Sequence, residues 1–377
     1  MTKILVKAGN HIRKSCLATV ALAKALPQKK AVHLEGAKGE KLPCQVIDGG
    51  KALLFYIAKL DAGKEAKYEV KPGAADCVEI SVAKGKEAKS FDIFAGKQLF
   101  ATLHCGKKWA KPFIWPVNTP ANASVTRAYP MVLNVPGETN DHIHQKSLWT
   151  GWGEVNGCDL WAELDKHGSM LVNKVDLLEA GPIRARFRLA VDWVDGKGRK
   201  LVSEVRELSF CATADARTID FDVKLLATEG DVWIGDTKEG GICSVRVASS
   251  MDGVNGGVIT LSDGSVGEAE CWGKPASWCD YYGAVKGGKA GVCIMDNPVN
   301  DSFPTYWHVR DYGLMAANPY GLQYFTGNPA KNLSFAIQAG ASKQWKFRVL
   351  LHDTPLSATR MPERYQDYAH APVCMEE

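Results

Sequence analysis

Apolar and polar residues alternate along most of this 377-residue chain, in runs rich in β-branched and aromatic side chains such as KILVKAG, RTIDFDVKLLA and WKFRVLLHD. Successive side chains of an extended strand point to opposite faces, so a period of two buries one face and wets the other. Residues 185–210, ARFRLAVDWVDGKGRKLVSEVRELSF, keep this alternation on both sides of Asp195-Gly196-Lys197-Gly198. Those four residue types favour a tight reversal, so the segment predicts one long hairpin. Helical periodicity is weak, and a turn or two around residues 362–368 is the best candidate. Many short strands with regular turn residues point to an all-β fold of stacked antiparallel sheets.

The length exceeds what one hydrophobic core usually serves. Two units are expected: a small immunoglobulin-like sandwich over residues 1–80 and a large antiparallel β-supersandwich over residues 85–377. AGKEAKYEVKPG closes the rhythm of the first, and SFDIFAGKQLFATLHC opens the strand series of the second. The formal charge is +4, but the lysines are scattered. No basic patch with interleaved aromatics exists, which argues against nucleic acid as a partner. No run of roughly 18 apolar residues occurs either, which argues against a membrane-spanning helix. The eleven cysteines are odd in number, dispersed, and without a Cys-x-x-Cys pair. Many sit in apolar stretches as buried thiols would, which favours a reducing compartment and cytoplasmic localisation. Residues 13–26, RKSCLATVALAKAL, have the outline of a secretion signal. Lys24 interrupts the apolar run, and the segment reads instead as a strand of the mature protein.

Polar chemistry concentrates in three places. The first holds Asp141, His142, His144, Gln145, Lys146 and Trp149, followed by Asn156 and Asp159. On an extended backbone His142 and His144 would share a face, able to bind a metal or to move a proton. The bland alternative is a pair of loop histidines satisfied by backbone carbonyls. The second is Asp236, Lys238 and Glu239 between glycines, either a base with its tuning cation or a charged turn. The third runs from His308 through Arg310 and Asp311 to Asn318 and Tyr320. Here an Arg310–Asp311 ion pair at a strand end is the structural explanation. Trp115, Trp149, Trp152, Trp161 and Trp307 lie in or beside these clusters. Aromatic faces with carboxylates, amides and arginine suit a sugar, and a tryptophan-rich core is the competing account.

The run DHIHQKSLWTGWGEVNGCDLW, the segment GDTKEGG and the run WHVRDYGLMAANPYG together resemble the bacterial PmoA-like family, a domain of unknown function. The resemblance extends over most of residues 112–352, and an N-terminal region such as LPCQVIDGGKALLFYIAKLDAGKEAKYEV is common there. The family usually carries a further histidine and an arginine where this chain has Gln145 and Lys146. Its label suggests methane oxygenation, but the membrane subunit of that name needs spanning helices that this chain lacks. The resemblance implies instead carbohydrate metabolism and a supersandwich similar to galactose mutarotases. Those folds hold a histidine acid and a carboxylate base in a concave groove of the larger sheet.

The leading expectation is therefore a sugar-active enzyme, an isomerase or lyase working by proton transfer on a sugar, sugar derivative or oligosaccharide. His142 or His144 is the acid and Glu239 the base, while His308, Arg310 and Lys146 hold oxygen atoms. Arg127, Asp141, Gln145, Trp149, Asn156, Asp159, Asp236, Lys238, Asp311, Asn318 and Tyr320 complete the substrate contacts. No cofactor is expected, with a divalent metal on His142, His144 and one carboxylate as the alternative. A non-catalytic carbohydrate-binding protein is the third reading.

Overall fold

The computed structural model describes residues 2–28 and 30–377. Strands hold 49% of the residues and helices 9%, against roughly 30–35% helix in an average globular protein, so the fold is all-β. Three large sheets carry it: one of seven strands and two of eight, joined by antiparallel pairings throughout.

The seven-stranded sheet takes six strands from the first 72 residues. One apolar cluster, including Ile4, Val20, Leu34, Leu53, Phe55 and Ile57, draws on strands along its whole width, so the sheet folds over on itself. Arg13–Ala21 is one of its strands, paired with Ala52–Leu60, as its alternation predicts. The seventh strand departs from expectation. Val373–Glu376, placed by sequence in the larger unit, pairs instead with Lys3–Lys7. Conversely Ile80–Lys84 lies at the edge of an eight-stranded sheet, so the crossover into the large unit precedes residue 80.

The two eight-stranded sheets form the large sandwich. Phe100, Leu148, Phe187, Trp193, Phe210, Phe221, Val245, Trp307 and Trp345 pack between them in one continuous core. Each such side chain contributes on the order of 1.5–3 kcal/mol when removed from water. The long hairpin forms as the alternation requires, with Ala185 opposite Phe210 and Val194 opposite Lys200. Asp195 closes its turn by accepting from the Lys197 and Arg199 amides, and Gly198 takes φ 80° there. Met361–Ala369 is a helix, over the segment where helical character was expected.

Gln45 links the small unit to the large one. Its buried Oε1 accepts from the Ile183 and Arg184 amides at 2.9 and 2.7 Å, and its Nε2 donates to the Arg184 carbonyl at 3.1 Å. Gln45→Leu should leave those amides without partners and lower stability by about 2–4 kcal/mol, at roughly 1–3 kcal/mol per orphaned group. Urea denaturation of the variant checks this, and a loss below about 1 kcal/mol would show that water replaces the contact.

Candidate functional site

One sheet of the large sandwich turns its second face away from the core, and that face carries the polar clusters. Residues opposite one another across its strands form a row: Phe113, Trp149, Ser244, Ala316 and His308. Their neighbours Leu148, Val245, Ala317 and Trp307 point into the sandwich, as period two demands. Trp161 lies on this outward row with its ring centroid 5.5 Å from that of Trp149. The loops of residues 127–147 and 153–168 thus meet over one apolar floor.

At one end, two buried guanidiniums converge on one carboxylate. Arg127 and Arg246, both inaccessible to solvent, bond Asp141, the Arg246 contact at 2.9 Å. Arg127 also donates to the Asp141 and His142 carbonyls at 2.9 and 3.2 Å, fixing the loop that carries the histidines. Burial alone would raise the Asp141 pKa, but Arg246 and Arg127 outweigh it and hold it at about 2. Arg246 further bonds Gln145 and lies 4.7 Å beneath the ring of Tyr312.

His142 and His144 do lie together, but not by strand alternation. His142 adopts φ 44°, so the segment turns, and the rings meet edge to face at 5.7 Å. The His142 ring stacks on Tyr312 at 4.9 Å, and its Nδ1 lies 3.3 Å from Asp141. This contact brings the first and third clusters into one place.

Beside them is a second cluster of two cations on one carboxylate. Lys111 and Lys146, each about 2% exposed, share Glu163. Lys111 also donates to the Trp161 carbonyl at 2.6 Å. Burial and the neighbouring Lys146 depress the Lys111 pKa to about 8 against the pull of Glu163. His144 feels the same field. Burial first, then Lys111, His142, Lys146 and Arg127, push its pKa down to about 3. His308 is also held at about 3, by burial and then by Arg310 and Lys238. The indole of Trp161 lies between these two imidazoles, with centroids 6.0 Å from His144 and 6.5 Å from His308. Around it, His308 Nδ1, Trp161 Nε1, Trp149 Nε1, Ser147 Oγ and Ser244 Oγ are buried without a protein partner.

The remaining candidates do other work. Asp236 Oδ2 accepts from the Gln323 and Leu333 amides at 3.1 and 2.9 Å, pinning a distant loop. Asn318 holds the Thr237 and Lys238 carbonyls, and Asn156 bonds the Trp233 backbone. Tyr320 receives the Trp345 indole N–H at 3.0 Å on the core side. Asp159 caps the Trp161 and Ala162 amides, so it shapes the loop bearing Trp161 and Glu163. Arg310 pairs with Glu268 at 2.7 Å and lies over Trp272, not with Asp311, whose own amide also bonds Glu268. The expected substrate contacts of Asn156, Asp159, Arg310, Asn318 and Tyr320 are corrected accordingly, because these bonds tie their polar groups to the fold; Asp236 keeps its Oδ1 buried without a protein partner, and of Asp311 only the backbone amide is tied to Glu268. Glu239 is half-exposed, 3.5 Å from Lys238, and its carbonyl accepts from Gly153 at 2.7 Å. A side chain at Gly153 would press within 2.9 Å of that carbonyl. Lys111, Glu163 and Arg246 were missed by sequence, and Tyr312, inside the third motif, was given no role. An arginine inside the otherwise apolar run GGICSVR was the one available signal. Among the described residues, no group of three or more His, Cys, Asp or Glu is placed to hold a metal ion.

Fold and site together define an all-β sandwich protein with a buried, cation-rich polar cluster on one outward sheet face. Residues 90–366 match DUF6807, a family of unknown function, and the chain belongs to that family. The PmoA-like label is not part of this match. Among solved structures, the chain is similar to a glycosyl hydrolase family 38 protein from Enterococcus faecalis at 9% identity and TM-score 0.45, covering 100% of this chain and 47% of that one. An alpha-mannosidase from Enterococcus faecalis V583 matches at 9% identity and TM-score 0.44, with coverage of 100% and 46%. The chain thus spans about half the length of these two. A galactose mutarotase-like protein from Lactobacillus casei ATCC 334 matches at 10% identity and TM-score 0.26, covering 72% of this chain and 100% of that one. No curated protein matches the sequence.

Proposed function

We propose that this cluster acts on a sugar or sugar derivative by proton transfer, in an epimerase-like or lyase-like reaction. The observation that carries the reading is the set of buried, unpartnered polar atoms around Trp161. An orphaned buried donor costs roughly 1–3 kcal/mol, and a fold retains several together when something else satisfies them. Two indole N–H donors, the acceptor nitrogen of His308 and two hydroxyls suit the hydroxyl groups of a polyol, and the Trp161 face suits its C–H bonds.

In this reading His144 takes the part of the base. Burial and the surrounding cations keep its imidazole unprotonated at neutral pH but also make it a weak base, so the reaction requires a bound anionic group against those cations to raise its basicity. His142, braced by Asp141 and Tyr312, stands beside it to hand a proton back. His308 and Lys146 hold oxygen atoms, and Glu239 with Lys238 occupies the rim. A divalent metal on His142 and His144 is disfavoured electrostatically, because it would join Lys111, Lys146 and Arg127 in one low-dielectric pocket.

Deuterium incorporation into sugar C–H positions in D2O, followed by NMR, tests the proposal. The wild-type protein should exchange at least one position of a bound sugar. His144→Gln should slow exchange by about 10²–10⁴-fold, the usual contribution of a positioned acid or base. Sugar binding without exchange would make the protein a binder, and absence of sugar binding would remove the reading altogether.

A further inference from the structure

We propose that the ligand of this cluster carries a carboxylate: an acidic sugar, of the uronic or aldonic acid class, whose anionic group is received beside Lys146. The proposal rests on the sugar reading above and narrows it. Its first support is the contact-level charge balance. Lys111, Lys146, Arg127 and Arg246 have side chains 0–2% exposed, and they share only two carboxylates, Glu163 and Asp141. At contact distance Lys111 and Lys146 share the single carboxylate Glu163, so this pair of cations outnumbers its direct counter-ion by one. Glu138 and Asp159 bond neighbouring amides and still carry negative charge, which acts on Arg127 and Lys111 respectively and leaves the excess local to Lys146. Asp252 near Arg246 is pushed up to about 7 by burial, so it compensates only in part.

The second support is donor capacity. The buried Lys146 ammonium has three N–H donors and bonds only Glu163, with the Trp109 ring 5.9 Å away. The indole N–H groups of Trp149 and Trp161 are equally uncommitted. An anion accepting from Lys146 and one of these would satisfy groups that are otherwise costly to bury. The same cations lower the pKa of His144, which lies beside them. A carboxylate fits better than a phosphate. The donors are side-chain ammonium and indole groups, not backbone amides fanned at a helix start, as many phosphate sites are built.

The test is calorimetric titration of the full chain with D-glucuronate, D-galacturonate and D-gluconate, compared with D-glucose, D-galactose and glucose 6-phosphate at fixed ionic strength. At least one acidic sugar should bind tenfold or more tighter than its neutral counterpart. That margin should disappear in Lys146→Gln, which should weaken the acidic sugar at least tenfold more than its neutral counterpart. If that variant does not fold, Lys111→Gln serves, and the NMR titration of His144 in the wild type gives a second readout. Its midpoint should rise from about 3 when the acidic sugar is bound. Equal binding of acidic and neutral sugars would overturn the carboxylate and leave the sugar reading standing. Tighter binding of glucose 6-phosphate would overturn it in favour of a phosphate. Binding of none of the probes would overturn both.

Discussion

Glu163→Gln should lower the free energy of unfolding by about 3–5 kcal/mol, the range for removing one partner from a buried ion cluster. Lys111 and Lys146 would then lie about 2% exposed with no carboxylate between them. Lys111 is already depressed to about 8 with Glu163 present, so its ammonium would be the first to give up its proton. Urea denaturation at pH 7 reads the loss directly. The double variant Glu163→Gln/Lys146→Met should recover a large part of it, because the uncompensated charge is removed with its partner. A single-variant cost below about 1 kcal/mol would mean that water reaches the cluster, placing it with surface ion pairs.

A second large effect is expected on acidification, and it belongs to His308. Its folded pKa of about 3 lies below the unfolded value near 6.5, so the fold favours the neutral ring. Its contribution is therefore fully present above pH 6.5 and is lost as pH falls towards 3, because the unfolded chain binds the proton first. Between pH 7 and pH 4 that loss amounts to about 3 kcal/mol. His144 acts in the same direction. Asp252 and Asp296, raised by burial to about 7 and about 6, act in the opposite one. They favour the fold when protonated and lose that contribution as pH rises through those values. Comparing wild type with His308→Gln isolates the histidine. The stability difference between the two should shrink by about 3 kcal/mol over the same interval, and a pH-independent difference would contradict the burial of a neutral ring.

Much of the fold was legible because its information is local. The 185–210 hairpin announces both its alternation and its turn, and Asp195 and Gly198 close that turn with their own neighbours. Arg13–Ala21 forms the strand that its alternation suggests, paired with Ala52–Leu60. The C-terminal strand could not be foreseen, since a pairing of Ile4 with Glu376 leaves no trace within a short window. The site divides the same way. His142, His144 and Tyr312 come from motifs unusual enough to be noticed, and they meet. The inference that His142 and His144 share a strand face failed because His142 turns the chain at φ 44°. Asn318 and Tyr320 looked like ligand groups because polar residues beside glycines resemble a pocket in sequence, yet each is consumed by backbone or core contacts, and Asp236 commits one of its two oxygens in the same way. Glu163 was invisible for the opposite reason. Its importance comes from Lys111 and Lys146, which reach it from two other segments.

The pairing of Val373–Glu376 with Lys3–Lys7 also has a consequence for biosynthesis. During translation Lys3–Lys7 emerges some 370 positions ahead of this partner. Over that interval its other neighbour in the sheet, Glu65–Pro72, can pair with it while the opposite edge stays bare and open to whatever it meets. Completion of the small sheet is thus deferred until the helix Met361–Ala369 has been laid down and the chain turns back to Lys3–Lys7.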